Sequence, residues 1–191
     1  MKDIKNVLLV GVGGQGIILA SKILTTGLID AGYDVKMSEV HGMAQRGGSV
    51  TTQVRYGQKV HSPIIGKGQA DVIVAFEKIE ALRWIDYLKP DGKIVINDYE
   101  IPSATVIAGK ERYPEGVIEK IKSLCEDVTV IKAADEATKL GNIKAQNIVM
   151  LGGLIKALGI ENVDWQKAVR ENVKEKFVDL NIKAIETGMQ I

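Results

Sequence analysis

The chain has 191 residues, with 25 basic and 24 acidic side chains and a formal net charge of +1. That length suits one domain over residues 1–191, which buries roughly 70% of its unfolded surface and needs no disulfide or metal staple. Balanced charge argues against a general nucleic-acid binder. A single cysteine, Cys125, excludes a disulfide, zinc site or iron–sulfur cluster built within one chain, and no apolar run reaches the roughly 18 residues of a membrane span.

Met1–Asn6 carries no signal-peptide h-region, so a cytoplasmic location is expected. The first strand is read at Asn6–Val10, followed by a helix from Gly14 to Ala31 with Ile17, Ala20, Leu24 and Leu28 on one face and Gly32 at its end. Asp34–Glu39 is a second strand. Ser49–Tyr56, rich in Val and Thr, is a third, with Gly57-Gln58-Lys59 as a turn and Val60-His61-Ser62 as a short return strand. Asp71–Phe76 reads as a buried strand, Lys78–Tyr87 as a helix, and Pro90-Asp91-Gly92 as a turn into strand Lys93–Asn97. Thr105–Ala108 is a short strand, Glu115–Cys125 a helix, Val128–Lys132 a strand and Ala133–Leu140 a helix. From Ala145 the pattern is helical. Ala145–Leu158 is apolar nearly all round, so either the core or a partner covers it. Its Gly152-Gly153 pair costs about 1 kcal/mol per glycine relative to alanine, which points to close helix–helix approach. Asp164 is an N-cap for the last helical region. Strands alternating with helices give an α/β fold: a Rossmann-like, mainly parallel sheet flanked by helices, with Ser49–Ser62 as a candidate antiparallel hairpin and a helical C-terminal region.

GVGGQG at Gly11–Gly16 follows the first strand and opens the first helix, the context a phosphate-cradling GxGxxG requires. In that reading Gly11 turns the chain, Gly13 lets backbone approach a ligand and Gly16 lets the helix pack on the sheet. N–H groups near Gly14, Gln15 and Gly16 face an anion. The alternative is a glycine-rich turn that serves packing alone. Glu39 stands near the place of a ribose-binding acid. The second motif, Glu39–Val50 (EVHGMAQRGGSV), sets Arg46 among Gly42, Gly47 and Gly48, before Ser49. Arg46 offers a planar fork for carboxylate or phosphate, or it braces the loop through local carbonyls. A dinucleotide domain does not need this loop. His41 and His61 are too isolated for a metal site and are more simply structural, although His41 adjoins the second motif. Cys125 reads as a small core hydrophobe. Glu77, Asn97 and Asp98 sit near strand C-termini, as ligand groups or as caps and solvated loop residues. No catalytic residue is assigned.

GVGGQG, EVHGMAQRGGSV, QADVIVAFE at Gln69–Glu77 and NIVMLGGL at Asn147–Leu154 together resemble one family across nearly the whole chain. It is the gamma-type subunit of the 2-oxoacid:ferredoxin oxidoreductases. The form EVHGMAQRGGSV is most similar to the beta-subunit type of the indolepyruvate branch. The resemblance implies oxidative decarboxylation of a 2-oxoacid on thiamine diphosphate, electron transfer through iron–sulfur clusters to ferredoxin, and capture of the acyl group by coenzyme A. The chain has no CxxC motif and no GDG that could open a thiamine diphosphate–magnesium motif. Thiamine diphosphate, magnesium and clusters are therefore assigned to a larger partner subunit, and this chain alone is expected to be inactive and to bind no cofactor firmly. Coenzyme A binding is associated with this domain in relatives. The analogy singles out Gly11, Gly13, Gly14, Gln15 and Gly16, with Glu39, His41, Arg46, Gly47, Gly48 and Ser49, as binding positions and assigns no metal ligand. A free-standing NAD- or flavin-dependent enzyme and a non-catalytic nucleotide sensor stay open beside this reading.

Overall fold

A computed structural model describes residues 3–42 and 47–191. Six apolar or small residues in a row, Val7–Val12, let the first strand, β1 (Lys5–Val12), lie in the middle of a sheet with both faces covered. Helix α1 (Ile17–Asp30) follows, then β2 (Asp34–His41) and β3 (Ser49–Gly57). Next come β4 (Ala70–Ala75), α2 (Lys78–Arg83) with a 3-10 turn at Ile85–Tyr87, and β5 (Leu88–Asn97). The remaining elements are α3 (Ala104–Ile107), α4 (Val117–Lys122), β6 (Asp127–Ile131), α5 (Ala133–Lys139), α6 (Gln146–Leu158), α7 (Trp165–Asn172) and α8 (Val178–Gln190).

The six strands form one sheet in the order β2-β3-β1-β4-β5-β6. β4, β5 and β6 are parallel successors of β1, whereas β3 runs antiparallel to both of its neighbours, β2 and β1. All strands but β3 therefore point the same way. Period-two alternation splits the core. Val7, Leu9, Val54, Val74, Val95 and Ile131 face α1 and the C-terminal helices. Leu8, Val10, Ile73, Ala75, Ile94 and Ile96 face α2 and α4.

Three local expectations are corrected. The antiparallel hairpin is β2–β3, not a fold-back within Ser49–Ser62, and Val60-His61-Ser62 is not a strand. A β-run at Val60 would have to replace β2 on β3, whose other side β1 already takes. Thr105–Ala108 is not a strand either. Ser103 caps α3 by accepting from Val106 N–H at 3.4 Å, and β6 already holds the free side of β5. Pro90-Asp91-Gly92 does not precede the strand but lies inside β5 as an irregularity. Leu88 to Lys93 on β5 spans Ala70 to Val72 on β4.

The apolar helix α6 belongs to the core: Asn147–Ile155 is buried throughout. Gly153 lies against Ile131 and Val95 of the sheet. Gly152 and Gly188 bring α6 and α8 into backbone contact, so a methyl on either would collide with a main-chain carbonyl. Gly16 and Gly32 bracket α1 with φ of +75° and +80°, the left-handed conformation glycine adopts without penalty. Cys125 is buried, and burial pushes its thiol up.

Candidate functional site

The C-terminal ends of β1 and β2 meet on one side of the sheet. β3 begins on that side, and Gly13 N–H donates to Gly48 C=O at 2.9 Å. The two glycine motifs are thus joined by a direct hydrogen bond. They do not sit on adjacent parallel strands, as simple strand order would place them, because β3 lies between. Val12 faces Ser49 in the ladder, and Gly42 N–H donates to Ser49 C=O at 3.0 Å. A cleft of about 670 Å³ opens here, lined by Val12–Ile18, His41, Gly42 and Val50. Its walls are apolar at Val12, Ile17, Ile18 and Val50. Ile17 and Ile18, whose N–H groups precede the first helical bonds to the Gly16 carbonyl, line it. This combination suits a ligand with an anionic group and an apolar body.

The glycines of the first motif divide their work. A side chain on Gly11 would meet Gln15 Oε1 at 2.6 Å and Ile17 Cδ1 at 2.8 Å. Gly11 thus lies within β1 and makes room for packing there, not for a sharp turn. Gly14 has φ +98° and open space beside it. A Cβ on Gly16 would strike Asn147 Nδ2 at 2.6 Å, so Gly16 admits α6, not the sheet. Asn147 Nδ2 donates to Gly16 C=O at 3.0 Å and locks the helix entry.

Gln15 serves the scaffold with its side chain. Its Oε1 accepts from Val12 N–H at 2.8 Å, and its Nε2 donates to Phe76 C=O at 2.6 Å. Phe76 C=O also accepts from Asn97 Nδ2 at 3.2 Å, while Asn97 Oδ1 accepts from Ala133 N–H at 3.2 Å. A polar chain thus ties the ends of β1, β4 and β5 to α5. The N–H of Gln15 donates to Val12 C=O at 3.3 Å, which leaves it a poor anion donor.

Glu39 sits two strands from β1, on β2. Its carboxylate accepts from Ser21 Oγ at 3.3 Å and lies 3.7 Å from His41 Nε2. A dinucleotide fold needs its ribose acid on the strand beside β1, and that place is held by the reversed β3. Gly47 and Gly48 lead into β3, with Gly47 at φ +75°. Ser49 Oγ donates to Glu80 Oε2 at 2.6 Å, away from the cleft lining. Arg46 lies outside the described residues.

Glu77 is buried. It caps α2 through Glu80 N–H at 3.1 Å and accepts from Tyr113 Oη at 2.5 Å and Ile101 N–H at 3.3 Å. Burial, reinforced by the Glu77 carboxylate, pushes the Tyr113 phenol above its ordinary range. Burial works against the Lys78 ammonium, but Glu100 at 2.6 Å and Asp98 at 3.4 Å outweigh it and raise Lys78. Glu77 and Asn97 are therefore framework groups, and Asp98 anchors a lysine. His61 is exposed and away from the cleft. Among the described residues no cluster of three or more His, Cys, Asp or Glu is placed to hold a metal, and no helix is long and apolar enough to cross a membrane.

The residues that shape the cleft from behind, Glu80 and Asn147, were not singled out by sequence. Glu80 three positions after Glu77 reads as ordinary first-turn acid, and nothing local marks Asn147 as the partner of a residue 131 positions away.

The fold and cleft together define an α/β domain with a glycine-rich cleft at the C-terminal edge of its sheet, modified by one reversed strand. The chain belongs to the pyruvate ferredoxin/flavodoxin oxidoreductase family, whose model matches residues 6–191, and is a gamma-type subunit of the 2-oxoacid:ferredoxin oxidoreductases. It is 40% identical over 189 residues to indolepyruvate oxidoreductase subunit IorB of Archaeoglobus fulgidus, covering 96% of this chain and 92% of that protein. It is 39% identical over 194 residues to the subunit of the same name from Pyrococcus horikoshii, covering 97% and 94%. The fold matches the gamma subunit of a keto/oxoacid ferredoxin oxidoreductase from Geobacter sulfurreducens, with TM-score 0.73, 24% identity, and 98% and 95% of the two chains covered. It also matches 31% of the length of a 2-oxoglutarate:ferredoxin oxidoreductase chain from Magnetococcus marinus, at TM-score 0.72 and 21% identity over all of this chain.

Proposed function

We propose that this chain is the small, cluster-free subunit of an arylpyruvate:ferredoxin oxidoreductase, with indolepyruvate as the indicated substrate. The assembled enzyme would oxidatively decarboxylate the 2-oxoacid, pass two electrons to ferredoxin and form the acyl-coenzyme A. The observation that carries this reading is the 40% identity to an indolepyruvate oxidoreductase subunit across 96% of the chain. One cysteine cannot ligate an iron–sulfur cluster, so the electron carriers and the thiamine diphosphate belong to a larger subunit. That partner supplies the decarboxylation and redox chemistry when assembled. This chain contributes the cleft between Gly13–Ile18 and Gly42, where the Ile17 and Ile18 N–H groups at the start of α1 would take a phosphate of coenzyme A. Gly11, Gly13, Gly14, Gly16, Gly47 and Gly48 shape it, Gln15 and Ser49 fix it from behind, Glu39 and His41 border it, and Arg46 supplies the guanidinium. The protein would work in the cytoplasm.

The test is purification of the tagged chain from its native source without oxygen exposure. A larger partner with thiamine and ferredoxin-type motifs is the expected companion. Emergence of the chain alone at physiological concentration sinks the subunit reading. Within that complex Arg46→Ala should weaken coenzyme A use by about 1.5–3 kcal/mol, the worth of a charged hydrogen bond. Reduction of an acceptor before acyl transfer should suffer less. If Arg46→Ala dissociates the subunits and leaves coenzyme A dependence unchanged, the loop is an interface brace.

A further inference from the structure

The second glycine loop returns to the sheet at Ser49, and Ser49 is held by a residue outside both motifs. Glu80, on the first turn of α2, is 5% exposed. Its Oε2 accepts from Ser49 Oγ at 2.6 Å, and its Oε1 accepts from Arg83 Nε at 3.0 Å. The Arg83 side chain is 58% exposed, so solvent screens its share. The short bond from Ser49 is of the charge-assisted kind and spans 31 positions of sequence. A buried carboxylate is costly unless its oxygens are satisfied, so Glu80 has a strong preference for Ser49 at this one position.

Ser49 is the joint of the cleft. It faces Val12 in the ladder, its carbonyl accepts from Gly42 N–H, and the preceding Gly48 carbonyl accepts from Gly13 N–H. Moving Ser49 moves both walls. We infer that Glu80 is a positioning residue for coenzyme A use: by fixing Ser49 it sets the spacing between the Gly13–Ile18 wall and the wall at His41, Gly42 and Val50. Glu80 touches no ligand in this account; it acts through Ser49. The inference rests on the coenzyme A reading of the cleft for its functional half, while its structural half is independent of the ligand.

The test uses the complex with the larger subunit, carrying Glu80→Gln, which preserves shape and removes charge, with Ser49→Ala as the second variant. Amide hydrogen exchange over residues 11–18 and 42–50 is followed alongside the KM for coenzyme A. Glu80→Gln keeps an acceptor for Ser49 but removes the charge that strengthens the bond; it should speed exchange in both walls and raise that KM about fivefold, the difference between a charged and a neutral hydrogen bond, while kcat at saturating coenzyme A changes less than twofold. The double variant should be no worse than the poorer single, because both substitutions act on the same Ser49–Glu80 contact. Unchanged exchange in both Glu80→Gln and Ser49→Ala overturns the inference whatever the kinetics do. Faster exchange with unchanged KM upholds Glu80 as the positioner and removes coenzyme A from the cleft.

Discussion

Gln15 shows how a motif residue can read as ligand-binding and turn out to be framework. In sequence it is the fifth letter of a glycine-rich loop at a helix start. In the fold both ends of its amide are spent on Val12 N–H and Phe76 C=O. Gln15→Leu keeps the volume and strands two main-chain groups, at about 1–3 kcal/mol for each one left buried and unpaired. Urea unfolding should show a lower midpoint with an unchanged slope; an unchanged midpoint means that solvent satisfies both groups. Tyr113 is the opposite case, a framework residue that no motif marks. It was unmarked in sequence because its partner Glu77 is 36 positions away. Its phenol is raised by burial first and by Glu77 second, and Tyr56 is raised chiefly by burial. With the folded-state value above the unfolded one near 10, both phenols are protonated below that pH and their contribution is complete. Above it the unfolded chain ionises first, and stability falls as pH rises. Thermal unfolding between pH 8 and 11 should show that decline beginning at about pH 10, and Tyr113→Phe should make it shallower. A profile identical to wild type would mean that Tyr113 is not held protonated by the fold.

At the scale of elements, periodicity carried most of the reading. β1, α1, β4, β6 and α5 lie within a few residues of their sequence positions, because each buries a continuous or helical-period apolar set. The exceptions share one cause: a strand exists only where a neighbouring edge is free. Thr105–Ile107 has β-branched residues, but the side of β5, the strand before it, is taken by β6, and a serine cap starts a helix instead. The reversed insertion of β3 between β2 and β1 was equally hidden, since alternation fixes which face a residue takes and not which strand lies beside it. The Gly152-Gly153 pair was legible as close approach, but its partner Gly188 is visible only in three dimensions. Gly188→Ala drives a methyl into the Val149 carbonyl of α6 and should cost about 3 kcal/mol or more by overpacking. Lys156→Ala, on the exposed side of the same helix, should change the melting temperature little. Equal effects from the two would mean that α8 shifts away from α6 without penalty.

At the scale of the whole molecule, strand order decides between the two ligand chemistries that a glycine-rich loop after a first strand suggests. A dinucleotide spans two parallel βα units, with phosphates on the first helix and a ribose on the acid of the adjacent strand. Here the strand beside β1 is the reversed β3, and the only second-motif acid, Glu39, is one strand further out with Ser21 and His41 around its carboxylate. On the coenzyme A reading proposed above, the cleft keeps the phosphate half of such a site and lacks the ribose half. A ligand with phosphate and a flexible apolar arm needs only the former, and the Val12, Ile17, Ile18 and Val50 walls suit such an arm. Coenzyme A at a hundred times its dissociation constant should therefore stabilise the complex by about 2.7 kcal/mol, which thermal unfolding reads as a concentration-dependent rise. Glu80→Gln should blunt that rise, whereas NAD at matched concentration should leave the melting temperature of the isolated chain where it was. A clear NAD-dependent rise in the isolated chain, lost on Glu39→Gln, would restore the dinucleotide reading and require the ribose to reach across β3 to β2.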